Sequence, residues 1–250
     1  MPATPAWPPK SLPRLFVRTP LAEGASVELD GGQANYLGNV MRLGVGAELL
    51  VFDGLSGEWL GRIAEAGKKR MTLTVERRTR EAEAVPDVWL AFAPVKRAQT
   101  DWLVEKATEL GAARLIPVMT QRTVAERVKL ERLEAIAIEA AEQCGRTRLP
   151  EICEPRGLKL LLSEMAGARK LYFADEGGGN VAVSAFSPGA ALILIGPEGG
   201  FTNDERKLIR AAANAVPISL GPRILRAETA ALAALSAYMA VAGDWRLIDS

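Results

Sequence analysis

Histidine is missing from this 250-residue chain, and cysteine is scarce, with only Cys144 and Cys153. Without imidazole there is no Ser-His-Asp or Cys-His triad, no histidine general base and no His-ligated zinc. Any chemistry must use carboxylates, arginine, lysine, tyrosine, backbone dipoles or a cofactor, and no metal site is expected. The two cysteines stand in no metal-type spacing and read as reduced thiols of a cytoplasmic protein. Long apolar runs are missing too. No segment nears the ~20 residues of a bilayer-spanning helix, so no membrane partner is expected. Met1 to Lys10 is rich in proline and lacks the apolar run of a signal peptide; residues 1–13 are expected to be a disordered leader. Charge of one sign is not in excess: 31 Lys and Arg against 30 Asp and Glu leave +1. That total neither supports nor excludes nucleic acid, so the distribution must decide.

What is present is ordinary globular material, 48% hydrophobic and 24% charged, enough for a sizeable core. Residues 14–82 predict a small β-barrel. Its short strands, around Arg14–Arg18, Ser26–Leu29, Glu48–Phe52, Trp59–Ile63 and Met71–Val75, are separated by turn signals such as Asp30-Gly31-Gly32 and Asp53-Gly54. One helical patch, Gln33 to Arg42, interrupts them. After the linker Glu81–Pro86 the texture changes to strand-helix alternation over 86–250. Apolar strands are expected at Val88–Ala93, Leu115–Val118, Lys170–Ala174, Leu192–Ile195 and Pro217–Leu220. Helices are expected at Ala98–Leu110, Leu130–Cys144, Leu158–Met165, from the capping box Thr202–Glu205 onward, and at Glu228–Ala242. Repeated units of this kind predict an α/β domain with a parallel sheet covered on both faces.

Two loops carry most of the chemistry. The run Leu192–Ile195 breaks into Gly196-Pro197-Glu198-Gly199-Gly200-Phe201. Leu220-Gly221-Pro222-Arg223-Ile224-Leu225-Arg226 then brings two arginines to the mouth of an Ala-rich helix. Loops at the ends of buried strands are where α/β proteins build ligand sites. The first loop fails as a phosphate cradle: it has neither the Gly-Lys-Ser/Thr ending nor GxGxxG spacing, and Glu198 would repel phosphate. It suits a neutral or cationic ligand, or it is a tight turn needing positive φ at Gly199 or Gly200.

These two loops, together with Glu142-Gln143-Cys144-Gly145-Arg146 and Glu105–Gly111, resemble the bacterial small-subunit ribosomal RNA uridine N3-methyltransferases of the SPOUT superfamily. The resemblance runs over nearly the whole chain beyond the leader, with the motifs in the family's order. It implies an N-terminal PUA-like barrel and a C-terminal trefoil-knotted parallel-sheet domain, working as a homodimer on 16S rRNA in the assembled 30S subunit. It also implies S-adenosyl-L-methionine as cofactor, held by Phe173, Ala174, Ile195, Gly196, Pro197, Gly200, Leu220, Gly221, Ile224, Leu225 and Thr229. A related knotted enzyme acting on another RNA, such as a tRNA ribose hydroxyl, and a non-catalytic RNA-binding assembly factor are the alternatives.

Uracil N3 sits between two carbonyls and carries a proton that must leave before the nitrogen can attack a methyl group. The charge then spreads onto O2 and O4, where arginine donors would stabilise it. Arg226 is the first candidate, with Arg223 and Arg146 behind it. Arg226 has the alternative of bracing its loop against Glu228 or Glu198. Glu198 is either the base or an anchor for its own loop. Arg14, Arg18, Arg42, Lys68, Lys69, Arg70, Lys96, Arg97 and Arg122 are either solvated charges or an RNA backbone track, with the target base extruded into the pocket.

Overall fold

The computed structural model describes residues 12–67, 70–124, 127–165 and 167–245. The leader lies outside the described residues except for Leu12 and Pro13, and so do Lys68 and Lys69. The chain forms two compact units. One takes the chain up to Ala84 and adds Ala141–Arg148; the other takes Val85–Ala140 and the chain from Leu149 onward.

The first unit is built on β1 (Arg14–Phe16), β2 (Ser26–Leu29), β3 (Glu48–Phe52), β4 (Glu58–Ala66) and β5 (Met71–Arg80), in the order β1-β3-β4-β5-β2. Alternate residues of these strands turn inward, and Val27, Leu29, Leu49, Val51, Leu73 and Val75 share one core cluster. A helix was expected over Gln33–Arg42. The chain instead forms α1 (Gly31–Asn35), capped by Asp30 and Gln33, and runs on as a π-helical turn over Tyr36–Val40. The turn seats Leu37 in the core, and Arg42 follows in the left-handed region at φ 57°.

Ala141–Arg148 joins this unit because Arg14 seizes it. The guanidinium donates to the carbonyls of Ala141 (2.6 Å), Glu142 (2.9 Å) and Arg146 (2.8 Å). In return, Phe16 N–H donates to Glu142 Oε1, at 2.8 Å. The Ala141 carbonyl also accepts from Gly145 N–H at 3.2 Å, so the guanidinium adds donors at a helix end, where carbonyls outnumber intrahelical donors.

The second unit alternates strand and helix as expected. It runs β6 (Val88–Phe92), α2 (Arg97–Glu109), β7 (Arg114–Met119), α3 (Leu130–Cys144), β8 (Glu151–Ile152), β9 (Arg156–Gly157), α4 (Leu158–Glu164) and β10 (Lys170–Ala174). It then continues β11 (Asn180–Val181), α5 (Ala182–Ala185), β12 (Ala191–Ile195), α6 (Asn203–Arg210), β13 (Ala215–Ser219) and α7 (Ala227–Val241). The sheet is parallel throughout, ordered β11-β13-β10-β12-β6-β7-β8, with β9 beside β7.

Parity decides which layer each strand residue joins. Leu90, Phe92, Ile193, Ile195 and Tyr172 pack with α2, α5 and α7, whereas Ala91, Leu192, Leu194, Leu171 and Phe173 pack with α4 and α6. Strands buried on both faces carry no polar alternation, which is why they read as continuous apolar runs. Among the described residues no helix is long and apolar enough to cross a membrane.

Candidate functional site

β10, β12 and β13 lie side by side in parallel, so their carboxyl ends open at one edge of the sheet. A cavity of about 490 Å³ sits there. The end of β10 contributes Ala174, Asp175 and Glu176; the end of β12 contributes Ile195 to Glu198, Gly200 and Phe201; the end of β13 contributes Ile218 to Leu225. Ala227 and Ala230 of α7 close the apolar side. Crevices beyond the carboxyl ends of parallel strands are the usual ligand sites of α/β sheets.

The glycines of the first loop are there for geometry. Gly200 has φ +66°, and a Cβ on it would lie 2.8 Å from the Glu176 carboxylate. A Cβ on Gly196 would meet the Phe201 ring at 3.0 Å, so the backbone rests directly on that buried ring. The loop then enters α6 through the expected box. Glu205 N–H donates to Thr202 Oγ1, and the Glu205 carboxylate accepts from Thr202 N–H and from Gln121 N–H.

Charge around the cavity is uneven. Asp175, Glu176 and Glu198 face Arg206 and Arg223. Asp175, 1% exposed at its side chain, is held by Arg206 (3.1 Å) and Arg210 (2.6 Å) and fixes the turn after β10 through Gly177 N–H (2.8 Å). In the second loop, among the described residues, the amides of Arg223, Ile224 and Leu225 donate to no acceptor within the chain. Exposed donors of this kind beside an apolar floor suit a ligand that is part aromatic and part polar.

Residues 81–239 match the RNA methyltransferase domain family, and residues 29–76 match the RNA methyltransferase PUA domain. The chain is 33% identical over 227 residues to the ribosomal RNA small subunit methyltransferase E of Rickettsia conorii, covering 89% of this chain and 93% of the relative. The chain belongs to the ribosomal RNA small subunit methyltransferase E family. The Bacillus subtilis member is 32% identical over 233 residues, covering 87% of this chain and 91% of its own. A crystal structure of the Neisseria gonorrhoeae member bound to S-adenosyl methionine superposes with a TM-score of 0.86 at 28% identity, covering 94% of this chain and 100% of that one.

The expected family membership, α/β architecture and PUA domain therefore hold. Of the residues expected at the cofactor, Ala174, Ile195, Gly196, Pro197, Gly200, Leu220, Gly221, Ile224 and Leu225 line the cavity. Two do not. The Phe173 side chain is fully buried in the opposite core layer, because it has the other parity from Ala174. Thr229 is exposed and faces away, while its neighbours Ala227 and Ala230 line the wall.

Of the expected catalytic residues, Glu198 and Arg223 are in the lining. Arg226 is exposed at the N-cap of α7, between lining residues Leu225 and Ala227. Among the described residues it makes no ion pair with Glu228 or Glu198, so the alternative reading of Arg226 as an ion-paired brace has no contact behind it. Arg146 is 6% exposed, belongs to the first unit and lies 3.5 Å from Glu83; it is not in the lining.

Arg14 also departs from expectation: its side chain is 10% exposed and bonded to Glu58 at 2.7 Å, which leaves it unable to track an RNA backbone. Arg18 and Arg42 are exposed, and Arg70 is exposed and 3.6 Å from Glu28. Lys96, Arg97 and Arg122 are exposed in the second unit. Asp175, Glu176 and Arg206 escaped the sequence reading, and Phe201 stood in the first loop motif with no role given to it. Asp175 directly follows an apolar strand, which was a usable signal, but the inward aim of Arg206 depends on Asp175 and is not visible in the sequence.

Proposed function

We propose that this chain methylates N3 of a uridine in 16S rRNA, with S-adenosyl-L-methionine as methyl donor. The observation that carries this reading is the cavity at the ends of β10, β12 and β13, with its acid excess, apolar floor and unengaged amides. Those residues fit the donor. Its adenine suits the slot between Gly196, on the Phe201 ring, and the backbone of Leu220 to Leu225. Its cationic groups suit a wall where Glu176 and Glu198 outweigh Arg223 once Arg206 is tied to Asp175. When bound, the donor supplies an electrophilic methyl group.

The chain's own residues have the rest to do. Arg226 and Arg223 stand at the loop mouth, placed to donate to uracil O2 and O4 and to stabilise the anion left when N3 loses its proton. Glu198, exposed on the loop, is the acceptor offered for that proton. Arg18, Arg42 and Arg70 of the first unit, and Lys96, Arg97 and Arg122 of the second, are cations for the RNA backbone. A trefoil knot through the two loops, a homodimer that brings Arg146 to its partner's cavity, and action on the assembled 30S particle in the cytoplasm complete the reading. Membership of the family supports this part of the reading.

Calorimetry with S-adenosyl-L-methionine separates an enzyme from a non-catalytic RNA-binding factor: heat is expected, and its absence at millimolar cofactor would favour the latter. Nucleoside mass spectrometry of 16S rRNA from a deletion strain should show loss of N3-methyluridine. Its unchanged persistence would overturn the proposal, and loss of a ribose-methylated nucleoside instead would point to the alternative target.

A further inference from the structure

A second cavity in the same unit uses the other side of the Pro197–Gly199 loop. It measures about 690 Å³, within the ~300–1,000 Å³ range of small-ligand pockets. Among the described residues six cations line it, Lys96, Arg97, Arg122, Arg127, Lys129 and Arg132, against the carboxylates of Asp101 and Glu198. The cofactor cavity has the opposite balance, three carboxylates against two arginines. The two cavities share Pro197 and Glu198, so one suited to a cation adjoins one suited to an anion.

Two of the six cations are engaged. Arg132 is held by both oxygens of Asp101, and Arg122 donates to Gly199 O at 2.6 Å, tying down the shared loop. Among the described residues, Lys96, Arg97, Arg127 and Lys129 form no ion pair, although the charge of Arg97 is felt by Asp101. Like charges gathered without counter-charges repel one another, and an anion relieves that repulsion. The remaining wall is apolar, formed by Pro94, Val95, Val128 and Leu133. Buried Thr100 fixes the backbone of this wall: its hydroxyl both accepts from Val95 N–H and donates to Val95 O, each at 3.1 Å.

We propose that this cavity receives the extruded nucleotide of the RNA, a nucleoside 5′-phosphate. Its phosphate meets the four cations that form no ion pair among the described residues, and its base reaches along the apolar wall to Glu198, which lines both cavities, with Arg223 beyond it on the cofactor side. This rests on the methyl-transfer reading for the identity of the polymer, but the cavity's preference for a 5′-nucleotide is testable without turnover.

The full chain, saturated with S-adenosyl-L-methionine, is titrated with uridine 5′-monophosphate while the amide resonances of Arg97, Thr100, Val128 and Gly199 are followed. Saturable shifts at these amides are expected. K96Q/R127Q alters two exposed side chains and should weaken the nucleotide at least tenfold, on the order of one charge-assisted hydrogen bond, while cofactor affinity is unchanged. Uridine and inorganic phosphate should each bind more weakly than the nucleotide. Shifts insensitive to K96Q/R127Q, displacement of the cofactor by the nucleotide, or equal affinity for inorganic phosphate alone would overturn the assignment. Nucleotide binding here with no methyl transfer to 16S rRNA would sink the proposed activity and leave the site standing. Methyl transfer with an unchanged KM in K96Q/R127Q would do the reverse.

Discussion

Glu58→Gln tests whether Arg14 is a structural cation, because the carboxylate it removes is the one that holds Arg14 in place. Glu58 is 4% exposed. It accepts from Arg14 Nε at 2.7 Å, from Arg80 Nε and Nη2 at 3.0 and 2.7 Å, and from Thr79 Oγ1 at 3.0 Å. Glutamine keeps the shape and one acceptor, but its NH2 is set against a guanidinium. Breaking a buried pair from one side costs about 3–5 kcal/mol. Arg80 is 45% exposed at its side chain, so its share is screened to at most ~1 kcal/mol. Arg14 keeps three carbonyl acceptors. The expected loss is therefore near the lower end, about 3 kcal/mol, or a fall in Tm of roughly 6–12 °C.

The pH dependence has a defined sign. Burial pushes the Glu58 carboxyl up, but hydrogen bonds from Arg80 and Arg14 outweigh it and hold the group below its ordinary 4.5. A carboxyl depressed in the folded state contributes stability above its unfolded value, and that contribution is lost as pH falls through the folded value. The gap between wild type and Glu58→Gln should be full at pH 7 and should close below pH 4.5. Urea titrations at several pH values, with amide exchange in β4 and β5, measure it. A gap under ~1 kcal/mol at pH 7, typical of exposed pairs, would refute the reasoning, as would one that stays constant into strong acid.

Gly196→Ala places a Cβ 3.0 Å from the buried Phe201 ring. Overpacking of ~1–3 kcal/mol should weaken cofactor binding about tenfold by calorimetry, and an unchanged Kd would remove this ring from the proposed slot. Arg226→Ala should lower kcat by at least ~10²-fold, the usual effect of removing an oxyanion donor, with cofactor Kd nearly constant; equal losses would mark it as a loop brace instead. Burial and the Glu151 carboxylate push the Cys153 thiol from 9.0 up to about 11. At pH 8 it should alkylate about a hundredfold more slowly than a free cysteine, and rapid labelling would contradict that environment.

Local signals were legible wherever a single physical cause dominated. The run Leu192–Ile195 is buried on both faces and could only be an inner strand; Thr202 and Glu205 cap α6 as their spacing demands. The two Gly/Pro loops were readable as ligand loops because glycine marks close approach, as Gly196 on Phe201 bears out. Placements that depend on a partner elsewhere in the chain were not legible. Phe173 and Ala174 are both apolar, and only the pairing of β10 with β12 and β13 decides which one meets the cavity. Arg14 looks like any basic strand end until Glu58 and the carbonyls of Ala141–Arg148 surround it.

The net charge of +1 misleads for a related reason. It is a sum over places that never meet the same ligand. Within the second unit an acid excess gathers on one side of Pro197–Gly199 and a cation excess on the other. Glu198 stands in both linings, so its replacement should register on both sides of the loop. Glu198→Gln removes a negative charge from the cofactor wall and a counter-charge from the basic cavity at once. Cofactor affinity should fall while affinity for uridine 5′-monophosphate rises, since a cation and an anion respond to the same lost charge with opposite sign. A change of the same sign for both ligands would show that Glu198 acts by holding the loop's shape and not by its charge.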